Sequence, residues 1–239
     1  MLISDYFKSN GILTLYHFTD RANIQSIIDN GGIYSWQSCQ EKGIAVKRPG
    51  GDDSSHSIDS YKGLGKYVRL SFTRNHPMMS VAKNEGRISD PVVLRIDLSV
   101  ADLPNTKFSD VNAARNNATV ASGLSGARNI HTTTVKQSDH FNLSDEEKPY
   151  YQAEVLVYDK IPLSCIKNIE IYKPKPATPP TYKPTYTSNT TPSKPYTQTY
   201  KPSTPSYSSN SSSSSSNGSG CLWVIIVGVV ILLIAALGS

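Results

Sequence analysis

The sequence is short of cysteine and of recognisable metal or nucleotide motifs. Its three cysteines, Cys39, Cys165 and Cys221, are too few and too scattered for a disulfide framework or a zinc site. The five histidines show no ligand spacing, so we expect no catalytic metal. The glycine-rich fingerprint of dinucleotide-binding folds and the phosphate-binding loop are both missing. These absences argue against a disulfide-rich scaffold, a zinc hydrolase, a Rossmann enzyme and a P-loop enzyme.

Acidic residues are absent after Glu170, and this asymmetry accounts for the net charge of +5. Five lysines lie beyond residue 172, namely Lys173, Lys175, Lys183, Lys194 and Lys201. With these five removed, 19 of the 24 basic residues remain, and they balance the 19 acidic ones. The first 172 residues are therefore neutral. This excludes a globally basic nucleic-acid-binding domain but permits a local basic groove.

A long apolar run ends the sequence, because residues 221–238 hold no charged or strongly polar side chain. At 1.5 Å per residue, a helix of this length reaches roughly 27 Å, close to the ~30 Å hydrocarbon core of a bilayer. Trp223 stands at the end where an indole favours the headgroup layer. All lysines precede the run, and Met1 to Tyr16 lacks the apolar core of a signal peptide. We predict a single-pass C-terminal membrane anchor with the preceding residues in the cytoplasm.

Residues 173–220 consist almost wholly of Pro, Ser, Thr, Tyr, Lys, Gly and Asn. Such a segment cannot bury apolar surface, so it is predicted to be a disordered linker with polyproline II character. A spacer is the simplest interpretation. A docking strip and a modified stalk are alternatives.

Residues 1–172 carry the patterns of a mixed domain. Apolar alternation and strand-forming residues predict strands at 13–18, 67–73, 92–98, 152–158 and 166–172. A helix capped by Thr19 is expected through Gly31, and a second helix begins at Pro77. The Gly, Ser and Asp of residues 48–65 favour a mobile loop. Helices early and strands late, without a βαβ rhythm, indicate an α+β fold with an antiparallel-rich sheet.

Five polar residues stand out for their positions. His17 ends a predicted strand before a helix N-terminus, where backbone amides can hold an anion or a carboxamide. Arg48 leads into a Gly-rich stretch, and Ser71 and Thr73 lie on the polar side of their strand. Glu154 precedes a Val-Leu-Val run in an otherwise uncharged strand, where a carboxylate needs a partner or a purpose. Taken singly, each also fits a structural or solvent-facing role.

In combination these positions form a recognisable order. The segments are Tyr16-His17-Phe18-Thr19, Arg48, Ser71-Phe72-Thr73, Pro77-Met78, Phe108-Ser109-Asp110-Val111-Asn112-Ala113-Ala114 and Gln152-Ala153-Glu154-Val155-Leu156-Val157. Over roughly residues 12–172 the chain resembles the DarT family of NAD-dependent ADP-ribosyltransferases. Members attach ADP-ribose to thymidine bases of single-stranded DNA and act as toxins opposed by a macrodomain antitoxin. The segments around Ala113 and Glu154 are the most specific parts of the resemblance.

The resemblance implies an ADP-ribosyltransferase fold with NAD as co-substrate. His17, Phe18 and Thr19 match the segment that holds the nicotinamide and ribose of NAD. Arg48 matches an arginine that contacts NAD and assists deprotonation of the acceptor base.

The catalytic role falls to Arg48 and Glu154 in this interpretation. Glu154 matches the catalytic glutamate, which stabilises the positive charge that develops as the nicotinamide–ribose bond breaks. Ser71 and Thr73 are expected at the substrate-binding site. The implied partners are single-stranded DNA, a macrodomain antitoxin and, through the C-terminal helix, a membrane.

Two other functions stay open on the sequence. The same enzyme class would act on a protein or an RNA near the membrane, or the domain would be an inactive module that binds a nucleotide or a partner. The joint presence of His17, Arg48 and Glu154 argues against an inactive site.

Overall fold

The computed structural model of the protein describes residues 1–173. The predicted linker beyond Lys173 and the predicted anchor at 221–238 lie outside the described residues. Among residues 1–173, none of the helices has the length and apolar character needed to span a bilayer.

Short helices and strands alternate along the described residues. The α-helices are α1 (Ile3–Ser9), α2 (Ile24–Asp29), α3 (Trp36–Lys42), α4 (Asp53–Tyr61), α5 (Pro77–Asn84) and α6 (Gly123–Arg128). The strands are β1 (Leu15–Asp20), β2 (Gly32–Tyr34), β3 (Tyr67–Ser71), β4 (Pro91–Ile96), β5 (Lys107–Ser109), β6 (Val120–Ser122), β7 (Glu154–Tyr158) and β8 (Lys160–Pro162). Single 3-10 turns occupy Arg21–Asn23, Leu98–Asp102, Tyr150–Gln152, Leu163–Cys165 and Ile169–Tyr172.

Six strands form one sheet in the order β4-β1-β3-β7-β5-β6, and β2 pairs with β8 in a separate ribbon. Every strand pair in the described part of the chain is antiparallel. The predicted α+β fold with an antiparallel sheet is therefore confirmed. The alternation in β3 and β7 buries Val68, Leu70, Val155 and Val157, as their sequence pattern indicated.

The hydrophobic core lies against one face of the six-stranded sheet. Phe7 of α1 packs on Phe72 and Phe108 with ring centroids 5.1 and 5.5 Å apart. Tilted aromatic contacts of this kind stabilise a core beyond their buried area. The Asp102 carboxylate also anchors α1 by accepting hydrogen bonds from the N–H groups of Ile3 and Ser4, at 2.7 and 3.1 Å. The first helix is thus an integral part of the domain.

Two local predictions differ from the structure near the N-terminal half. Thr19 lies inside β1, and Asp20 caps the following turn by accepting from the Ala22 N–H at 2.8 Å. The stretch at 48–65 contains α4, whose cap is Asp52, bonded to the Ser55 N–H at 2.7 Å. The prediction of an unstructured mobile loop was wrong because Asp caps helices as readily as it favours turns.

The strand predicted at 166–172 was also wrong. Ile166 forms only an isolated bridge with Ile96, and a 3-10 turn follows. Asn168 explains the difference, because its side chain accepts from the Arg95 N–H at 2.7 Å and donates to the Val93 carbonyl at 3.0 Å. One side chain thus occupies the β4 edge groups that a further strand would use.

Candidate active site

The sheet opens between β1 and β3. β1 pairs with β4 along its whole length, Leu15–Asp20, but with β3 only through Tyr16 and Ser71. The His17 ring bridges the opening, with Nδ1 3.0 Å from the Arg69 carbonyl oxygen. Burial lowers the pKa of His17, partly offset by this carbonyl, so the ring is neutral near pH 7. A carbonyl only accepts, so Nδ1 carries the proton and donates it.

Asn23 joins Thr19 to the backbone of Arg48. Its amide nitrogen donates to Thr19 Oγ1 at 3.1 Å and to the Arg48 carbonyl at 2.7 Å. Its Oδ1 accepts from the Arg48 N–H at 3.1 Å. The sequence interpretation overlooked Asn23, although an amide one helical turn after Thr19 was a usable signal. The buried amide holds Arg48 at the edge of the opening, while the Arg48 side chain is exposed and donates to the Gly86 carbonyl at 3.4 Å.

Phe18 lies beside His76, a second residue that sequence reasoning missed. The two rings are stacked with centroids 6.2 Å apart. His76 Nδ1 accepts from the Met78 N–H at 3.2 Å, while Nε2 has no partner among residues 1–173. Burial, aided by the charge of Arg69, lowers the pKa of His76 to about 4. Because Nδ1 accepts a hydrogen bond, the proton of the neutral ring is on Nε2, which faces the backbone of Gln152. The sequence signal for His76 was its position directly before Pro77, the residue that starts a predicted helix.

Glu154 begins β7 on the far side of the opening and is only 5% exposed. It lies directly opposite Ser71 of β3 and Ser109 of β5. Directly opposed residues point to the same side of a sheet, so these three side chains form one row. Glu154 Oε2 accepts from the Ala113 N–H at 2.8 Å and lies 3.7 Å from Arg69 Nη1. Within residues 1–173, Oε1 accepts no hydrogen bond and is available to a substrate hydroxyl.

Buried polar atoms without partners surround this row. Among the described residues they include Arg69 Nε, Thr73 Oγ1, His76 Nε2 and Ser109 Oγ. A buried unpaired polar group costs about 1–3 kcal/mol, so such a cluster is typical of a site completed by its ligand. Ser71 differs, because its hydroxyl already donates to the Thr73 carbonyl at 2.7 Å. The Thr73 hydroxyl makes no such backbone bond and lies near the Tyr151 hydroxyl.

The predicted residues fall into two groups on either side of the opening. His17, Phe18, Thr19 and Arg48 lie on or beside β1, and Ser71 and Glu154 lie on the strands beyond it. No hydrogen bond or ion pair joins Arg48 to Glu154 in the described part of the chain. The cation beside Glu154 in these residues is Arg69 of β3, which the sequence analysis did not single out. In the same residues, no cluster of His, Cys, Asp and Glu is arranged to hold a metal.

Comparisons with known proteins agree with this architecture. The family model described as ssDNA thymidine ADP-ribosyltransferase, DarT, matches residues 16–179. The Thermus sp. 2.9 DarT structure in complex with ADP-ribosylated ssDNA is 18% identical, with a TM-score of 0.55 over 65% of this chain and 79% of that one. Its complex with carba-NAD+ gives 19% identity and a TM-score of 0.50, over 65% and 80% of the two chains.

A third solved structure is Thermosipho africanus DarTG in complex with ADP-ribose, 21% identical with a TM-score of 0.55. The alignment covers 65% of this chain and 43% of that one. No curated protein matches the sequence. The solved structures share the fold, and the family match extends over more than half of the chain. The protein belongs to the DarT family and is an NAD-dependent ADP-ribosyltransferase.

Proposed function

We propose that the protein transfers ADP-ribose from NAD to a thymidine base of single-stranded DNA and releases nicotinamide. The observation that carries this proposal is the placement of Glu154. The carboxylate is buried at the start of an apolar strand, fixed through one oxygen, and faces a row of polar side chains beside the opening in the sheet. A carboxylate held in a dry site stabilises developing positive charge more strongly than it would in water.

Glu154 and the β1 residues have separate roles in the first half of the reaction. His17, Phe18 and Thr19 hold the nicotinamide riboside, with the neutral His17 ring and the Thr19 hydroxyl as polar contacts. Glu154 accepts a hydrogen bond from a ribose hydroxyl. As the nicotinamide–ribose bond breaks, its electron pair leaves with nicotinamide, and the carboxylate stabilises the oxocarbenium-like ribose.

Arg48 acts on the acceptor in the second half. The thymine ring nitrogen loses its proton to solvent, and its electron pair forms the new bond to the ribose carbon. Arg48 stabilises the negative charge on the ring while this bond forms. Its exposed guanidinium, on a backbone fixed by Asn23, suits contact with a base that arrives from solution. One proton and one neutral nicotinamide are released for each base modified.

The acceptor is tested with labelled NAD and two matched single-stranded oligonucleotides. We expect label on the thymine-containing oligonucleotide and none on the same sequence with every thymine replaced by cytosine. A macrodomain antitoxin, the partner implied by the family, is expected to remove the label. Label that survives nuclease but not protease would instead identify a protein acceptor. Label found only on RNA would mean that the acceptor is RNA and not DNA. Absence of any nicotinamide release would contradict the proposal altogether.

We also propose that residues 221–238 anchor the enzyme in a membrane with the catalytic domain in the cytoplasm. The support is the uncharged apolar run and the lysines that precede it. The anchor would confine modification to acceptors close to the bilayer.

Introducing two arginines into the apolar run is expected to move the protein from the membrane fraction to the soluble fraction. Each arginine near the centre of a span costs about 2.5–3.5 kcal/mol of insertion free energy, so Val230→Arg with Leu233→Arg abolishes a stable span. Ser213→Arg, in the linker, is the matched control and stays in the membrane fraction. Fractionation of cells expressing each variant measures the difference. A wild-type chain found in the soluble fraction would contradict the anchor.

A further inference from the structure

Lys62, directly after α4, holds a loop on the other side of the site. Its ammonium donates to three successive carbonyl oxygens, those of Ala113, Ala114 and Arg115, at 3.3, 3.0 and 2.6 Å. An ammonium group has three N–H donors, so this arrangement uses all of them. A lysine committed in this way fixes the course of the backbone it binds.

The same loop supplies the hydrogen bond that holds Glu154. The Ala113 carbonyl faces Lys62, and the Ala113 N–H donates to Glu154 Oε2 at 2.8 Å. Asn112 tightens the turn by accepting from the Ala114 N–H at 3.0 Å. Ala113 itself is buried in a small cluster with Leu64 and Leu156. The position of the carboxylate therefore depends on a loop whose carbonyls are held by Lys62.

Asp59, one turn earlier in α4, reaches Glu154 by a second route. Its Oδ1 accepts from Arg69 Nη2 at 2.6 Å, and Arg69 Nη1 lies 3.7 Å from Glu154 Oε2. One guanidinium thus bridges two carboxylates, both largely removed from solvent. By accepting from Nη2, Asp59 orients the guanidinium so that Nη1 lies toward Glu154.

α4 has no buried residue of its own. It packs on the domain through His56, whose ring stacks on Trp36 with centroids 3.9 Å apart. At its C-terminal end, Asp59 and Lys62 bond to the groups around Glu154. We infer that Asp59 and Lys62 are positioning residues for Glu154, and that the end of α4 sets the orientation of the carboxylate. This inference rests on the catalytic role of Glu154 in the proposed function.

The test is the rate of nicotinamide release by full-length protein in detergent. Lys62→Met keeps the length of the side chain and removes the three donors. We expect kcat to fall about 10- to 100-fold, because small displacements of a catalytic group carry costs of that order. The KM for NAD stays within about twofold, since the β1 residues that bind NAD are untouched. Asp59→Asn provides a second variant, with a smaller loss of kcat in the same direction.

Calorimetric titration with carba-NAD, which resists cleavage, separates positioning from folding. Lys62→Met is expected to bind with the wild-type stoichiometry, so that every molecule is folded although turnover is slow. Lys62→Arg retains charge and donors, and restores most of the lost rate. Lys136→Met is the matched control, because Lys136 Nζ donates to the single carbonyl of Asn10, at 3.0 Å.

Two results would overturn the inference. One is Lys62→Met turning over at the wild-type rate. The other is a loss of binding stoichiometry that matches the loss of activity, which would make Lys62 a folding residue only. Failure of the catalytic role of Glu154 has a different signature, because either the wild type would then release no nicotinamide or Glu154→Gln would retain the wild-type rate. Failure of this inference alone leaves Glu154→Gln inactive and Lys62→Met fully active.

Discussion

Glu154→Gln is expected to lower the rate of nicotinamide release at least about a thousandfold while NAD affinity changes by less than about threefold. Glutamine has the shape of glutamate, and its side-chain oxygen can still accept from the Ala113 N–H. The substitution therefore removes the negative charge and little else. A charge that acts on the transition state affects kcat, whereas in the proposed mechanism ground-state NAD is bound chiefly by the residues of β1.

The control for this variant is Glu170→Gln, which neutralises an exposed glutamate paired with Lys173. Both rates are measured by release of labelled nicotinamide, and a thermal melt of each variant tests folding. Glu170→Gln is expected to match the wild type. If Glu154→Gln keeps more than about a tenth of the wild-type rate of nicotinamide release, Glu154 does not belong to the reaction centre.

Arg48→Ala is expected to lower transfer to DNA about a hundredfold or more, and the release of nicotinamide in the absence of DNA by much less. This difference is expected because, in the proposed mechanism, Glu154 acts on the ribose and Arg48 acts on the acceptor base. The backbone of Arg48 is held by Asn23 through both its N–H and its carbonyl. Truncation of the side chain therefore removes the guanidinium and its contact with Gly86, and leaves the segment in place.

Lys47→Ala is the matched control, since Lys47 is the adjacent exposed cation. Comparable losses of transfer in the two variants would mean that general electrostatic attraction of DNA, rather than a specific action of Arg48, is responsible. The salt dependence separates these cases, because each phosphate contact contributes to the slope of affinity against salt. Arg48→Ala is expected to leave that slope nearly unchanged.

The strands were predictable because their alternation is a local signal. Val68 and Leu70, and Val155 and Val157, place the core side of β3 and β7 without knowledge of any partner. α4 was not predictable in this way, since it has no apolar periodicity. The contacts of Lys62 at its end link residues about fifty positions apart in the chain. The predicted final strand failed because one Asn168 side chain satisfies the edge of β4.

The candidate site shows the same division. Glu154 stood out because a charged residue in an apolar strand is unusual. His17 stood out because the sequence placed it at the end of a predicted strand, whereas the structure places it inside β1. The residues around them were not singled out from the sequence. They are ordinary polar residues in polar segments, and only the fold shows what they contact. Asn23 binds the backbone of Arg48, and His76 lies beside Phe18. Asp59 binds Arg69, and Lys62 binds the loop at Ala113. Sequence patterns locate isolated exceptions, whereas cooperation between side chains depends on long-range packing.

The single pairing between β1 and β3 has a thermodynamic consequence. A seam joined by Tyr16 and Ser71 and by the His17 ring lacks most of the backbone hydrogen bonds of a continuous sheet. In the proposed mechanism NAD binds in this seam, where it would supply bonds across it and act as a cross-link between two halves of the domain. By mass action, each tenfold excess of NAD over its dissociation constant then adds about 1.4 kcal/mol to the unfolding free energy. The cellular NAD level would thus set how long the enzyme survives as well as how fast it works.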